Sequence, residues 1–417
     1  MPSHPLLPLV ENGKIFHQLR ETYSTPLYVY SGDRIKENLA RLDKSLRDNF
    51  HSYHICYALK ANTNPHLIRF MKDNLPGLGG DCSSPGELLA AQKSGINPRE
   101  CIFTGNYESS DDLQAAFEQG AVINLDDITS LDRLLEIGTP DMVSFRLNPG
   151  FGKGRFAQIT TAGNKAKFGI PKEFIVAAYE KAQAAGIKQF GLQCMSGSGV
   201  LDDDYFPTLL KAVLTTASEI SDQLGIRLSF ISLGGGFGIP YMDSEPIFDI
   251  ETVFKHLADI FYEQYPDREQ APSFWIEPGK YIIGDAGILL ATVTGLKNSY
   301  RRFVGLDAGM ETLMRPALYQ AYHRIYVVNK PAGPITQTVD ITGRICENTD
   351  RLATDRAFPS TKVGDLIAIM DTGAYGFSMS HQFNNRPRPA EVLLTGQQDH
   401  LIRRRETLQD LFALCDI

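Results

Sequence analysis

Several features are missing or scarce in this chain of 417 residues. Its six cysteines, Cys56, Cys82, Cys101, Cys194, Cys346 and Cys415, form no Cys-x-x-Cys pair and no framework spacing. They read as reduced thiols of a cytoplasmic protein, not as disulfide staples, and they imply no metal site. No apolar run approaches 18 residues, which argues against a membrane-spanning helix. The opening Met1-Pro2-Ser3-His4-Pro5 lacks the basic-then-apolar pattern of a secretory signal. Positive charge is in deficit, 41 Lys and Arg against 49 Asp and Glu, for a net charge of −8. No basic field exists to hold a nucleic-acid backbone. With 36 Gly and 23 Pro, the chain is neither low-complexity nor collagen-like. What remains is an acidic globular protein, 43% hydrophobic and long enough for a large core. Its simplest reading is an enzyme acting on a small molecule.

The positive signal is alternation. Short apolar or β-branched runs recur at Tyr53–Leu59, Gly79–Cys82, Cys101–Thr104, Ala121–Leu125, Met142–Leu147, Phe190–Met195, Leu228–Leu233 and Phe274–Glu277. Helical patterns lie between them, among them Gly86–Lys93, Asp111–Gln119, Thr208–Leu224 and Ile250–Tyr265. Eight such repeats over about 230 residues predict an α/β fold, a (β/α)₈ barrel. From Gly284 the texture changes to β-rich segments punctuated by Gly and Pro: Ile288–Val293, Arg324–Val328, Thr336–Ile341, Leu366–Met370 and Glu391–Leu394. One further helix is expected near Glu406–Leu414. The strand Pro26–Tyr30 is expected to join this C-terminal all-β domain. The division is therefore a barrel over 35–283 and a β domain made of 1–34 and 284–417.

Barrel chemistry sits at the C-terminal ends of the strands. Lys60 follows the first strand and Asp81 lies on the second. Arg146 and Asn148 end the fifth, and the sixth runs into Ser196-Gly197-Ser198-Gly199. Gly234-Gly235-Gly236-Phe237-Gly238 follows the seventh, and Glu277-Pro278-Gly279-Lys280 the eighth. Each has an ordinary reading: a surface lysine, a tight turn, a helix cap. Together they are more specific. An apolar and aromatic run before Lys60 predicts a partly enclosed amine suited to Schiff-base chemistry. Glycines on this rim let backbone N–H groups approach a phosphate. A carboxylate in the barrel mouth needs a cationic partner. Amine, phosphate cradle and carboxylate match the needs of pyridoxal 5'-phosphate, whose protonated ring is an electron sink.

The chain resembles the fold-type III pyridoxal-phosphate decarboxylases, which share an alanine racemase-like barrel, and within them the diaminopimelate decarboxylases. The likeness runs from about Thr25 to Leu394. It is carried by Tyr57-Ala58-Leu59-Lys60-Ala61-Asn62, by Gly80-Asp81-Cys82-Ser83-Ser84-Pro85-Gly86-Glu87-Leu88, by the glycine loop and by Glu277-Pro278-Gly279. Asp307-Ala308-Gly309-Met310, Arg315-Pro316-Ala317-Leu318-Tyr319, Ile345-Cys346-Glu347-Asn348-Thr349-Asp350, Asp371-Thr372-Gly373-Ala374-Tyr375-Gly376 and Arg386-Pro387-Arg388-Pro389-Ala390-Glu391 narrow it.

The resemblance implies roles. Lys60 would carry the cofactor as an aldimine, and Glu277 would pair with the pyridine nitrogen. Asp81 would lie at the cofactor, and Met195 on its ring face. Ser198, Gly235, Gly236, Gly279 and Lys280 would hold the phosphate, with Tyr375 close by. Cys346 would reprotonate the α-carbon after CO₂ leaves. Lys280, Arg315, Tyr319, Glu347 and Tyr375 would grip the substrate; arginine suits its distal carboxylate and Glu347 its ammonium. The implied reaction converts meso-2,6-diaminopimelate to L-lysine and CO₂, in a homodimer whose Cys-Glu loops reach the partner's site.

The chain also departs from the family pattern. His-x-His-x-Gly-Ser at the sixth strand is replaced by Gln193-Cys194-Met195-Ser196-Gly197-Ser198, and Lys280 stands for the usual arginine. Met195 can pack on an aromatic ring but cannot carry a proton. These changes leave a second substrate class open, D-lysine, D-ornithine or a modified amino acid. A catalytically silent cofactor-binding homologue is more remote, because Lys60, Glu277 and Cys346 are all kept. A racemase lacks a convincing second acid/base tyrosine.

Overall fold

The computed structural model describes residues 4–415; Met1–Ser3 of the N-terminal segment discussed above, and the last two residues, lie outside that range. The chain divides into two units. One holds residues 37–239 and 247–281. The other holds the N-terminal 36 residues, Pro240–Pro246 and everything from Ile282 onward.

The first strand, β1 (Leu27–Ser31), belongs to the second unit. The first unit is the barrel. Its strands are β2 (Tyr53–Ala58), β3 (Gly79–Cys82), β4 (Cys101–Phe103), β5 (Val122–Leu125), β6 (Met142–Asn148), β8 (Gln189–Gln193), β9 (Leu228–Ser232) and β10 (Ser273–Ile276), with a two-residue β7 (Ile170–Pro171) beside β6. All pair in parallel, and the pairings β5–β6 and β2–β10 close the ring. The eight expected strands are all present, within a residue or two. They are nearly continuous apolar runs because both faces are covered, as parallel sheets require.

The helices start where the sequence offers caps. Ser84 accepts the N–H of Glu87, with Pro85 at the first helical position. Ser109 and Asp112 form a reciprocal capping box. The helix Ile250–Gln264 buries Ile250, Val253, Phe254, Leu257, Ala258 and Phe261, one stripe at helical spacing. Inside the barrel, Cys56, Ile102 and Phe230 form a plug, with Val122, Met142 and Trp275 packed against it. The Trp275 ring stacks on Phe230 at 4.1 Å.

The second unit is built on a mixed sheet with β1 at its centre. β1 pairs antiparallel with β11 (Gly287–Asn298) and parallel with β17 (Ala390–Thr395). β12 (Arg302–Leu306), β14 (Ile335–Thr342) and β15 (Arg351–Pro359) extend one side, and β18 (Gln398–Arg403) the other. β13 (Ile325–Val327) and β16 (Leu366–Ile369) branch from β11. Leu27, Val29, Ile288, Leu290, Ala368 and Val392 meet in its core, joined by Val10, Phe16 and Leu19 from helices Leu7–Asn12 and Lys14–Tyr23.

The sequence did not signal those two helices. Nor did it signal β12, β15 and β18, whose polar and charged residues lie on exposed faces. The helix expected near Glu406–Leu414 is absent; only a single 3₁₀ turn, Asp410–Phe412, forms there. Asp410 is held by Arg404 and by the Thr407 hydroxyl and N–H. Leu408 and Leu414 are exposed, so no apolar face is buried to support a helix that short. Among the described residues, no helix is long and apolar enough to cross a membrane.

Candidate active site

The barrel unit brings one group of candidate residues together at the ends of its strands. Lys60 directly follows β2 in a 3₁₀ turn, Leu59–Ala61. Its ammonium pairs with Asp81 on the adjacent β3. The side chain of Lys60 is 41% exposed, a partly enclosed amine. An ion pair to a buried carboxylate holds it. Only one Asp81 oxygen is used there, and Oδ1 is buried without a hydrogen-bond partner.

Glu277 follows β10 and is buried. Its Oε1 accepts the hydroxyl of Ser232 at 2.7 Å, and its Oε2 accepts the side-chain amide of Gln193 at 2.8 Å. Burial pushes this carboxyl up to about 7; Asp81 adds to the rise, while Ser232, Lys60 and Gln193 pull it back. Ser232 and Gln193 end neighbouring strands in direct register. Sequence reasoning missed Ser232 altogether and treated Gln193 only as a lost histidine. Both sit one position before their strand's rim loop, a placement that could have flagged them.

Between these groups lies the glycine loop. Gly234 and Gly236 have φ of +65° and +102°, which L side chains rarely adopt. A Cβ on Gly235 would collide with the Glu277 carbonyl, and one on Gly236 would lie 2.6 Å from the Gly197 carbonyl. The Gly235 N–H donates to the Met195 sulfur at 3.2 Å. Met195 therefore lies against this loop, and its own carbonyl is fixed by Arg146 and Thr161 at 3.2 and 3.0 Å. Arg146 also pairs with Asp126, so it is a structural residue of the rim. Asn148 is too: its side chain bonds Gly150, Gly163 and Phe168 and folds the loop after β6. Lys280 is buried, its Nζ lying beside Gly199 on the Ser196–Gly199 turn. Gly279 packs against Ala58 and Ala61 next to Lys60.

The residues present fit pyridoxal phosphate. Glycine backbone with no room for a Cβ, beside a buried ammonium, suits a phosphate. A buried carboxylate met by neutral donors suits a ring N–H. Lys60 supplies the amine.

The second unit carries the other candidates. Arg315 begins a short helix, Arg315–Tyr319, and is 2% exposed. Its NH1 donates to His323 Nε2 at 3.0 Å, and its guanidinium lies 4.8 Å from the Tyr241 ring centre. His323 Nδ1 donates to the Met370 carbonyl at 2.8 Å, which fixes the neutral tautomer. Burial, then the Arg315 charge, pushes this imidazole down to about 3. Among the described residues, no carboxylate pairs with Arg315. Tyr319 and Tyr375 are half-buried, Tyr375 with a φ of +58°.

Cys346 and Glu347 are exposed. The Cys346 N–H donates to Asn384 at 2.6 Å. Two hydrogen bonds from Thr349, backbone then hydroxyl, hold the Glu347 carboxyl below its ordinary range. Buried Asp350 organises this loop, accepting the N–H groups of Met310 at 2.7 Å and Ile345 at 3.1 Å. Among the described residues, no group of three or more His, Cys, Asp or Glu side chains is placed to hold a metal.

Fold and rim together define a barrel enzyme built around a pyridoxal cofactor. A family profile described as pyridoxal-dependent decarboxylase, pyridoxal binding domain, matches residues 33–284. The chain belongs to the pyridoxal-dependent decarboxylases: it is a carboxy-lyase that uses pyridoxal phosphate. It is 39% identical to a diaminopimelate decarboxylase of Methanothermobacter thermautotrophicus, over 94% of this chain and 92% of that one. It is 34% identical to protein TabA of Pseudomonas amygdali pv. tabaci, over 95% and 92%. The crystal structure of a Methanocaldococcus jannaschii diaminopimelate decarboxylase in complex with L-lysine superposes with a TM-score of 0.85 and 32% identity, covering 96% of this chain and 94% of that one.

Proposed function

We propose that this enzyme decarboxylates meso-2,6-diaminopimelate to L-lysine and CO₂. The observation that carries the substrate is Arg315, a buried guanidinium met, among the described residues, only by a neutral imidazole and an aromatic ring. Burying a charge without a counter-charge is costly, and a substrate's distal carboxylate would supply that counter-charge through two hydrogen bonds. Relatives named for this reaction, and the lysine in a related structure, support the reading.

When bound, pyridoxal phosphate supplies an electron sink for the pair left as CO₂ departs. Lys60 would be its covalent anchor, oriented by Asp81. Glu277 would face the ring nitrogen and hold its proton there. Gly235, Gly236, Ser198, Gly279 and Lys280 would hold the phosphate, with Tyr375. Met195, seated on the glycine loop, would pack against the ring without offering a proton. Arg315, Tyr319 and Lys280 orient the substrate's carboxylates, and Glu347 its distal ammonium. Cys346 Sγ carries the proton delivered to the carbon that has lost CO₂.

Cys346 and Glu347 are exposed on their own chain, which supports a homodimer in which this loop completes the partner's site. Six free thiols support a cytoplasmic enzyme.

The test is CO₂ release from meso-diaminopimelate by the purified holoenzyme, with D-lysine, D-ornithine and the L-amino acids alongside. Stoichiometric L-lysine is expected from the first. Turnover restricted to substrates without a distal carboxylate would replace this reading with the second substrate class, to which Gln193, Met195 and Lys280 point.

A further inference from the structure

We propose that Gln193 is a positioning residue that, with Ser232, keeps Glu277 ionised so that the proton shared with the cofactor's ring nitrogen stays on nitrogen. The inference rests on the reading that Glu277 faces that nitrogen.

Glu277 has two oxygens, and each receives one hydrogen bond from a neutral group. The Ser232 oxygen accepts the Gly234 N–H at 3.1 Å, so its single proton is directed at Glu277. Gln193 Oε1 is buried without a partner, so the amide's contribution at this site is donation alone. Each carboxylate oxygen has two lone-pair sites, so one donor apiece leaves room for a ring N–H. A ring nitrogen and a buried carboxylate can share one proton as pyridinium with carboxylate, or as pyridine with carboxylic acid. Hydrogen bonds to the carboxylate favour the first arrangement. Burial and the neighbouring Asp81 favour the second. Lys60 opposes Asp81, and the nearby thiols Cys56 and Cys194 are neutral, since burial holds both above their ordinary range. The balance therefore depends on Gln193 and Ser232. Neutral donors suit the task, because a charged donor at position 193 would compete with the pyridinium for the same carboxylate.

The test reads the proton directly. Each variant is loaded with pyridoxal phosphate labelled with ¹⁵N in the ring, and its nitrogen chemical shift is recorded without substrate. Quenching of Trp275, the one tryptophan of the chain, measures cofactor occupancy in parallel. Wild type is expected at the pyridinium position. Gln193→Met, close in size but without a donor, is expected to move the signal toward neutral pyridine. Gln193→His restores an N–H donor and is expected to return it. Ser232→Ala should shift it in the same direction as Gln193→Met, which keeps the test open if one variant fails to fold. A pyridinium signal unchanged in both Gln193→Met and Ser232→Ala overturns the inference, as does an equal shift in Gln193→Met and Gln193→His. Glu277→Gln separates this from the parent reading. If Glu277→Gln leaves the ring protonated, Glu277 does not face the nitrogen and the parent reading fails. If Glu277→Gln deprotonates it and Gln193→Met does not, only the role of Gln193 fails.

Discussion

Two buried arginines of the β unit, nine positions apart, are treated in opposite ways. Arg324 is cancelled: it donates to Asp243 and Asp371, each at 2.9 Å, and to the Pro240 carbonyl. Asp371 is in turn bonded by His4, and although burial pushes its carboxyl up, His4 and Arg324 outweigh that and hold it low. Among the described residues, Arg315 has only His323 and the Tyr241 ring. The barrel repeats the contrast in the other sign. Arg146 is cancelled by Asp126, while Glu277 is met chiefly by neutral donors. A buried charge whose partners cancel it is there for the fold. One whose partners only orient it marks where a ligand's opposite charge belongs.

The sharpest break would come from the covalent anchor. Lys60→Ala is expected to abolish turnover while the circular dichroism spectrum stays near wild type, with a lowered Tm because buried Asp81 loses its ion-pair partner; normal turnover would remove the chemistry assigned to the rim. Next is the cancelled pair. Asp371→Asn leaves Arg324 with one exposed carboxylate and the neutral Pro240 carbonyl, and should cost about 3 kcal/mol in denaturant unfolding. Protein that remains folded should keep its KM for substrate. The oriented charge should behave in reverse. Arg315→Met should lower kcat/KM for meso-diaminopimelate roughly 10- to 100-fold. It should not destabilise the fold, because an uncompensated buried charge is gone.

Smaller effects concern pH. Folded His323 is held near 3, against an ordinary 6.5. The unfolded chain therefore binds the extra proton, and stability from this group is lost as pH falls from about 6.5 toward 3. His323→Gln should flatten that limb of a pH–stability curve. Glu277 has the opposite sign. Its folded carboxyl titrates near 7 and its unfolded one near 4.5, so the folded state binds more protons in that window. Cofactor-free protein should lose stability as pH rises through it, and Glu277→Gln should remove the loss.

Much of this was legible in the sequence. The barrel was, because parallel strands buried on both faces are short apolar runs, and eight of them alternate with capped helices. Lys60, Asp81, the glycine loop and Glu277 were legible because a barrel puts chemistry at one known end of each strand. The helices Leu7–Asn12 and Lys14–Tyr23 were not, since Gly13 divides them into short pieces that tertiary packing alone stabilises. The partners that orient rather than bind were also hidden. Gln193, Ser232, Tyr241 and His323 are ordinary residues whose meaning comes from which buried charge they touch, and that is fixed by register and by packing across hundreds of residues.

The most direct measurement is the selectivity of wild type against Arg315→Met, as the ratio of kcat/KM for meso-diaminopimelate to that for D-lysine, which lacks the distal carboxylate. A high ratio is expected in wild type, collapsing in the variant through loss on diaminopimelate alone. An equal fall on both substrates, or no fall on either, would contradict that expectation.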